Sequence, residues 1–281
     1  MSNQKWFITG ASGGLGKEIA AKVLAEGHRV VAAVRRVEAL QSLQQAWPGR
    51  LEVESVDVTD TDEVRAVAAR HPDVDVVVNN AGGAVIGAME ALSEAQIQQQ
   101  IALNLLAPIH VTRAFLGEMR AREHGTFIHV SSMGGRAAFP SGALYHAAKY
   151  GLEGFAESVN QEIAAFGIKT LIIEPGSIRT GFVANIQWAE ELDAYKTGAV
   201  GQLREHIKAG GDDISSGDPV KMADAIYTLS QMAEPPLRTV LGADAYAVLE
   251  TTYARNLAAL QVQKDLATSV TLEGLAGFNP L

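Results

Sequence analysis

The sequence predicts an α/β protein, a doubly wound parallel sheet with helices on both faces, and three observations carry that prediction. Short apolar segments rich in β-branched residues alternate with longer stretches of helical spacing over about the first 175 residues. The apolar segments lack polar alternation, so each strand is buried on both faces, as in a parallel sheet covered by helices. A glycine-rich run, Thr9-Gly10-Ala11-Ser12-Gly13-Gly14-Leu15-Gly16, joins the first apolar segment to the first helical one.

In chain order, Lys5–Thr9 is the first strand and Leu15–Ala25 the first helix, ended by Gly27, which tolerates the left-handed cap. Val30–Val34, Leu51–Val56, Val74–Val78, Thr126–Val130 and Lys169–Glu174 are further strands. Thr61–Arg70, Ser93–Arg122 and Leu144–Phe166 have helical length and spacing. Past Pro175-Gly176 the pattern loosens. Phe182–Lys208 reads as one or two helices ending in a mobile stretch at 209–213. Pro219–Met232 is a helix, with Asp218 as its N-cap and Pro219 at its first position. Arg238–Leu241 is a last strand and Ala243–Gln261 a last helix. The result is a Rossmann-like sheet of about seven strands. The tail is too short and too intermittently apolar for a second domain. One domain is expected over 1–281: a core to residue 181, a substrate lid at 182–217, and a C-terminal strand and helices at 218–281.

Composition excludes several functions. The 281 residues are 47% hydrophobic and carry a formal charge of −9, with 23 basic and 32 acidic side chains. No lysine- or arginine-rich block is present, so nucleic acid is not an expected partner. There is no cysteine, hence no disulfide framework or thiolate chemistry. The histidines show no metal-ligand spacing, so no metal is expected. The N-terminus enters a strand at once, without a signal peptide, and no apolar run approaches the ~20 residues that span a bilayer. A soluble cytoplasmic protein that does not bind membranes is expected.

The glycine-rich run has the form of a dinucleotide cradle. A loop between a strand and a helix lets backbone approach a pyrophosphate, and unpaired N–H groups at the helix start face the anion. An enzyme that prefers NAD usually ends its second strand with an acidic residue for the ribose hydroxyl. Here that strand ends at Val34, followed by Arg35-Arg36. Guanidinium groups suit a 2′-phosphate, so NADP(H) is expected over NAD. The missing acid also weakens a rival reading as an S-adenosylmethionine methyltransferase.

Tyr145 and Lys149 stand four residues apart on a predicted helix, so they share one face. A phenol with its ordinary pKa of ~10 is a poor acid–base catalyst near neutrality, and a nearby ammonium favours the phenolate. Ser131-Ser132 ends the fifth strand upstream.

Together these motifs resemble the short-chain dehydrogenase/reductase family over about the first 180 residues. Thr9–Gly16 fits its glycine loop, and Asn79-Asn80-Ala81-Gly82 fits its motif after the fourth strand. Asp57, with Val58, sits where the family places its adenine contact. Asn104 falls at its mid-helix asparagine. Pro175-Gly176, with Ile178 and Thr180, matches the segment over the nicotinamide. The resemblance implies catalysis by Asn104, Ser132, Tyr145 and Lys149. Tyr145 would be the acid in carbonyl reduction and the base in alcohol oxidation. Ser132 would bind the substrate oxygen, Lys149 would also hold the nicotinamide ribose, and Asn104 would support a proton-relay water. Ser131 is the close rival of Ser132, and the thirteen-residue spacing to Tyr145 favours Ser132. The coenzyme would touch Gly10, Ser12, Gly13, Gly14, Leu15, Gly16, Arg35, Arg36, Asp57, Val58, Asn80, Ala81, Gly82, Tyr145, Lys149, Pro175, Gly176, Ile178 and Thr180. His129 and His146 read as packed or solvated imidazoles.

Segments 83–89, 133–144 and 182–217 should line the substrate side. Val85, Ile86, Met133, Phe139, Leu144, Phe182, Val183, Ile186 and Trp188 would make that pocket apolar, suited to a hydrophobic ketone, aldehyde or secondary alcohol. Glycines 198, 201, 210, 211 and 217 suggest a lid that orders on ligand binding. Arg136 and Arg179 are candidates for a substrate carboxylate, with solvated surface roles favoured. The family also implies a homo-oligomer, dimer or tetramer, through the two long helices. The alternatives on this fold are a coenzyme-binding sensor without catalysis, and epimerase or dehydratase chemistry.

Overall fold

The structure, a computed structural model, describes residues 3–272. In order it runs β1 (Lys5–Thr9), α1 (Gly14–Ala25), β2 (Arg29–Val34), α2 (Gln41–Ala46), β3 (Leu51–Ser55), α3 (Thr61–Arg70), β4 (Val76–Asn79) and β5 (Val85–Ile86). Then come α4 (Glu94–Ile101), α5 (Ala107–Arg122), β6 (Gly125–Val130), α6 (Ala143–Ile163), β7 (Ile168–Pro175) and β8 (Gln187–Trp188). The chain continues through α7 (Ala199–Gly210), α8 (Pro219–Ser230), β9 (Arg238–Leu241), α9 (Ala243–Gln261) and α10 (Lys264–Ser269).

Seven strands form one parallel sheet in the order β3-β2-β1-β4-β6-β7-β9. Its central strands are buried on both sides, as their unbroken apolar runs require. Trp6 and Ile8 of β1 point into a core with α1 and α8, through Ile19, Val23 and Ile226. Phe7, between them, points the other way, onto Phe115 of α5 with ring centroids 4.7 Å apart, in a core with α3. Strand order reverses between β1 and β4, so the crevice at their carboxyl ends is the place where this topology binds ligands.

Several boundaries agree with the sequence. Asp218 caps α8 by accepting from the Val220 and Lys221 backbone N–H groups, with Pro219 at the first position. The predicted ranges of β9 and α9 match the observed ones. The single helix expected over Ser93–Arg122 is corrected: α4 gives way to a π-helical turn at Ala102–Leu106 before α5. Pro108 has no N–H to return to the preceding turn, and the Asn104 side chain competes for backbone by donating to Gln100 O at 3.1 Å. Two short elements between β2 and β3, a 3-10 turn at Val37–Leu40 and α2, have no counterpart in the sequence reading.

The segment expected as one or two helices over Phe182–Lys208 is mostly irregular. It holds 3-10 turns at Val183–Asn185 and Asp193–Tyr195, strand β8, and one helix, α7. The stretch 209–213, expected to be mobile, completes α7 and enters a 3-10 turn. The two ends of the region 178–217 meet where Ile178 bridges Gly217 and Arg179 N donates to Gly217 O at 3.0 Å. Its middle is tied by β8 pairing parallel with β5. The expected C-terminal part continues in α10, and residues 273–281 lie outside the described residues. No described helix is long and apolar enough to cross a membrane.

Candidate active site

The glycine-rich loop closes the carboxyl end of β1. Gly10 takes φ +68°, a left-handed conformation that favours glycine, and its N–H donates to Ala33 O at 3.0 Å. A side chain there would lie 2.9 Å from the Ala81 backbone, so the loop and the 80–82 segment are in close contact. Gly13 is the N-cap of α1 and has no side chain to satisfy the first N–H groups, and no acidic residue stands in the first turn. These donors are left for an anion. Thr180 stands over the same helix start, 3.1 Å from where a Gly14 side chain would be.

Asn80, expected among the coenzyme contacts, packs its side chain under the glycine-rich loop. Its amide donates to Thr9 O at 2.9 Å and Gly10 O at 3.3 Å, beneath the loop. Its backbone N–H, like that of Ala81, donates to the Thr9 hydroxyl at 3.0 Å. The side chain therefore braces the cradle. Arg35 and Arg36 are exposed beyond β2, and among the described residues neither has a carboxylate within ion-pair distance. Asp57, beyond β3, accepts from the Thr59 hydroxyl at 2.7 Å and its N–H at 2.9 Å, bonds that hold its carboxyl below the usual range. Val58 beside it is buried. Pro175 ends β7, and the N–H of Gly176 donates to Leu241 O at 2.9 Å, which fixes the 175–180 segment against β9.

The other predicted residues meet at the carboxyl ends of β4 and β6. Lys149 and Tyr145 project from α6, with the Lys149 Nζ 5.9 Å from the centre of the Tyr145 ring and 2.8 Å from Val130 O. Burial pulls the Lys149 ammonium down to about 8, against the Glu153 charge that raises it. Burial pushes the Tyr145 phenol up, and the neighbouring Ser132 hydroxyl partly offsets this. Ser132 Oγ accepts from the Gly134 N–H at 3.0 Å. The rival, Ser131, is buried and points away, its Oγ beside Glu153 under Gly135. Asn104, 1% exposed, accepts from the Gly83 N–H at 3.2 Å. A side chain on Gly82 would lie 3.0 Å from Asn104 Oδ1 and 3.9 Å from Lys149 Nζ, so these two polar groups flank one backbone position.

The substrate side agrees only in part with the expected apolar pocket. Phe182 lies edge-on to Tyr145, centroids 6.5 Å apart, and Phe139 is on the same exposed rim. Trp188 instead packs under Arg204 and Lys208 of α7, 5.0 Å and 5.8 Å from its ring. Three of the expected lid glycines are sites of close packing: Gly201 against Lys196 O, Gly210 against Ile214, and Gly217, where a side chain would lie 2.6 Å from Ser177 O. Arg136 lies over the Tyr253 ring and Arg179 pairs with Asp213 at 3.0 Å.

Two histidines and a carboxyl group complete the surroundings. His129 is fully buried, and burial, with the Lys149 charge, pulls it to about 3, so it is neutral. His146 is also buried, but both ring nitrogens bond to loop backbone. Glu174 of β7 is 1% exposed, and burial, reinforced by the Glu153 charge, raises it to about 7. Folded protein therefore keeps a proton there that unfolded chain loses near the ordinary carboxyl value. This contribution is complete below about pH 4.5 and disappears as pH rises through 7. Glu174→Gln should flatten the fall in unfolding free energy between pH 5 and 8 by up to about 3 kcal/mol, measured by urea titration. An unchanged slope would contradict this account. Among the described residues no group of three metal-ligating side chains is found.

Comparison with known proteins gives a consistent relationship. A family model described as short chain dehydrogenase matches residues 4–191. An oxidoreductase of Botryotinia fuckeliana, BOA17, is 36% identical over 246 residues, 85% of this chain and 89% of that protein. The crystal structure of a short-chain dehydrogenase from Streptomyces avermitilis aligns with a TM-score of 0.88 at 36% identity, covering 96% of this chain and 99% of that one. A metagenomic short-chain oxidoreductase solved in complex with NADP aligns at 0.68 and 29% identity, over 86% and 97% of the two chains.

Proposed function

The chain belongs to the short-chain dehydrogenase family, and from that membership we propose that it is an NADP(H)-dependent oxidoreductase that interconverts a carbonyl and an alcohol on a hydrophobic substrate. The observation that carries this reading is the meeting of Ser132, Tyr145, Lys149 and Asn104 beside the uncapped start of α1.

The cradle fits a dinucleotide phosphate. Uncapped N–H groups of α1 would hold the pyrophosphate, Arg35 and Arg36 the 2′-phosphate, and Asp57 and Val58 would flank the adenine. The NADP-bound relative supports the same choice. When bound, the coenzyme supplies or accepts the hydride. Ser132, its oxygen already accepting from Gly134, directs its proton toward the substrate oxygen as charge develops there. Tyr145 delivers the proton to that oxygen in reduction and removes it in oxidation. Lys149 favours the phenolate left on Tyr145, and Asn104, across Gly82 from Lys149, holds the outlet for the replacing proton. Phe139 and Phe182 present apolar surface to the substrate. The residues 182–217 act as its lid, anchored at β5–β8 and Ile178–Gly217.

Steady-state assays of NADPH oxidation with aromatic, steroid and aliphatic ketones test the proposal. Turnover of at least one apolar ketone is expected. NADPH binding without turnover on any of them would instead favour a coenzyme sensor.

A further inference from the structure

We propose that His146 is a positioning residue for this reaction, a neutral imidazole that clamps the 133–142 loop and so sets Ser132 against Tyr145; the kinetic part of the inference rests on the reductase reading above. His146 follows Tyr145 on α6 and is 8% exposed. Its Nδ1 is 2.8 Å from Gly134 O, and its Nε2 is 3.0 Å from Phe139 N. A backbone N–H can only donate and a carbonyl only accept. Nε2 therefore carries the lone pair and Nδ1 the proton, so both ring positions are committed in one tautomer.

The loop that His146 holds is the one joining the two catalytic side chains. Gly134 is gripped from both sides, its N–H by Ser132 Oγ and its carbonyl by His146. A side chain on Gly134 would lie 3.0 Å from His146 Nδ1 and 3.1 Å from the Tyr145 ring, so glycine lets all three groups close on one peptide. At the far end of the loop, the Phe139 ring meets His146 edge-on with centroids 5.5 Å apart. The Gly134 bond thus orients Ser132, and the Phe139 bond shapes the substrate rim.

These two bonds separate in kinetics. His146→Phe removes both and should lower kcat about tenfold to a hundredfold, the cost of a small misplacement of a reacting group, and raise the KM for ketone. NADPH affinity, measured by fluorescence titration, should stay within about twofold. His146→Asn can still donate to Gly134 O and should recover most of kcat with KM still raised. His146→Gln reaches toward Phe139 and should recover KM more than kcat. Equal kinetics in the Asn and Gln variants, or wild-type kinetics in His146→Phe, would overturn the proposal. If His146→Phe does not fold, the Asn and Gln pair decides. The tautomer has a readout independent of turnover: 15N shifts of the His146 ring should report an Nδ1–H, Nε2 lone-pair imidazole at neutral pH. An Nε2–H tautomer would sink the clamp even if the enzyme reduces ketones, and absence of wild-type turnover with the expected tautomer would count against the reductase reading alone.

Discussion

Tyr145→Phe is expected to lower kcat/KM for ketone reduction by about a hundredfold to ten-thousandfold, the range of a lost general acid. The substitution removes one oxygen and preserves the ring contacts with His146 and Phe182, whose centroids lie 5.8 Å and 6.5 Å away. Packing around the site should therefore persist. The lost group is a phenol whose burial favours its neutral form, the form that donates in reduction. Lys149 keeps its bond to Val130 O in the variant, so the site retains its charge and loses only the transferable proton. NADPH affinity should stay within about twofold, since none of the uncapped N–H groups of α1 nor Arg35 is touched. Fluorescence titration with NADPH beside steady-state assays makes the comparison. A variant that keeps more than about a tenth of wild-type kcat/KM would refute the role of Tyr145.

How much of this was legible depended on whether the signal was local. Strands such as Val76–Asn79 were readable because a doubly buried strand has to be a run of apolar β-branched residues. The Asp218-Pro219 start of α8 was readable because an N-cap and its proline are adjacent in sequence. The break within Ser93–Arg122 was present as Asn104 and Pro108, but apolar spacing runs through both and hid it. The β5–β8 pair has two residues per strand, too few for a period, and its partners lie about a hundred residues apart. His146 was illegible for a similar reason. Its partners are the backbone of Gly134 and Phe139, and no side-chain pattern records which peptide a ring will meet. The lid glycines were ambiguous in sequence, because a glycine needed for close approach to Lys196 O or Ser177 O looks like one needed for motion.

Arg35→Ala is expected to raise the KM for NADPH about tenfold to a hundredfold, with little change for NADH. A hydrogen bond to a charged group is worth about 1.5–3 kcal/mol, and each 1.4 kcal/mol is about tenfold. Arg35 and Arg36 are exposed beyond β2, and among the described residues no carboxylate pairs with either, so no ion pair has to break before phosphate binds. Asp57 is the acid near Arg35, and it is bound to Thr59 instead. Gain of NADH affinity is a separate matter. The strand-end acid that would grip a ribose hydroxyl falls at Val34, and that side chain is 3% exposed within the core beside Leu40 and Leu51. Val34→Asp would place a carboxylate in this apolar cluster and destabilise the fold. On the proposed reading, discrimination would rest on what Arg35 and Arg36 attract, with no acid at β2 to reject the phosphate. Substitution of Arg35 and Arg36 together should bring the two coenzymes to similar KM values without making NADH a better substrate than it is for the wild type. A wild type that prefers NADH, or a double variant with the NADPH preference intact, would show that neither guanidinium reads the phosphate.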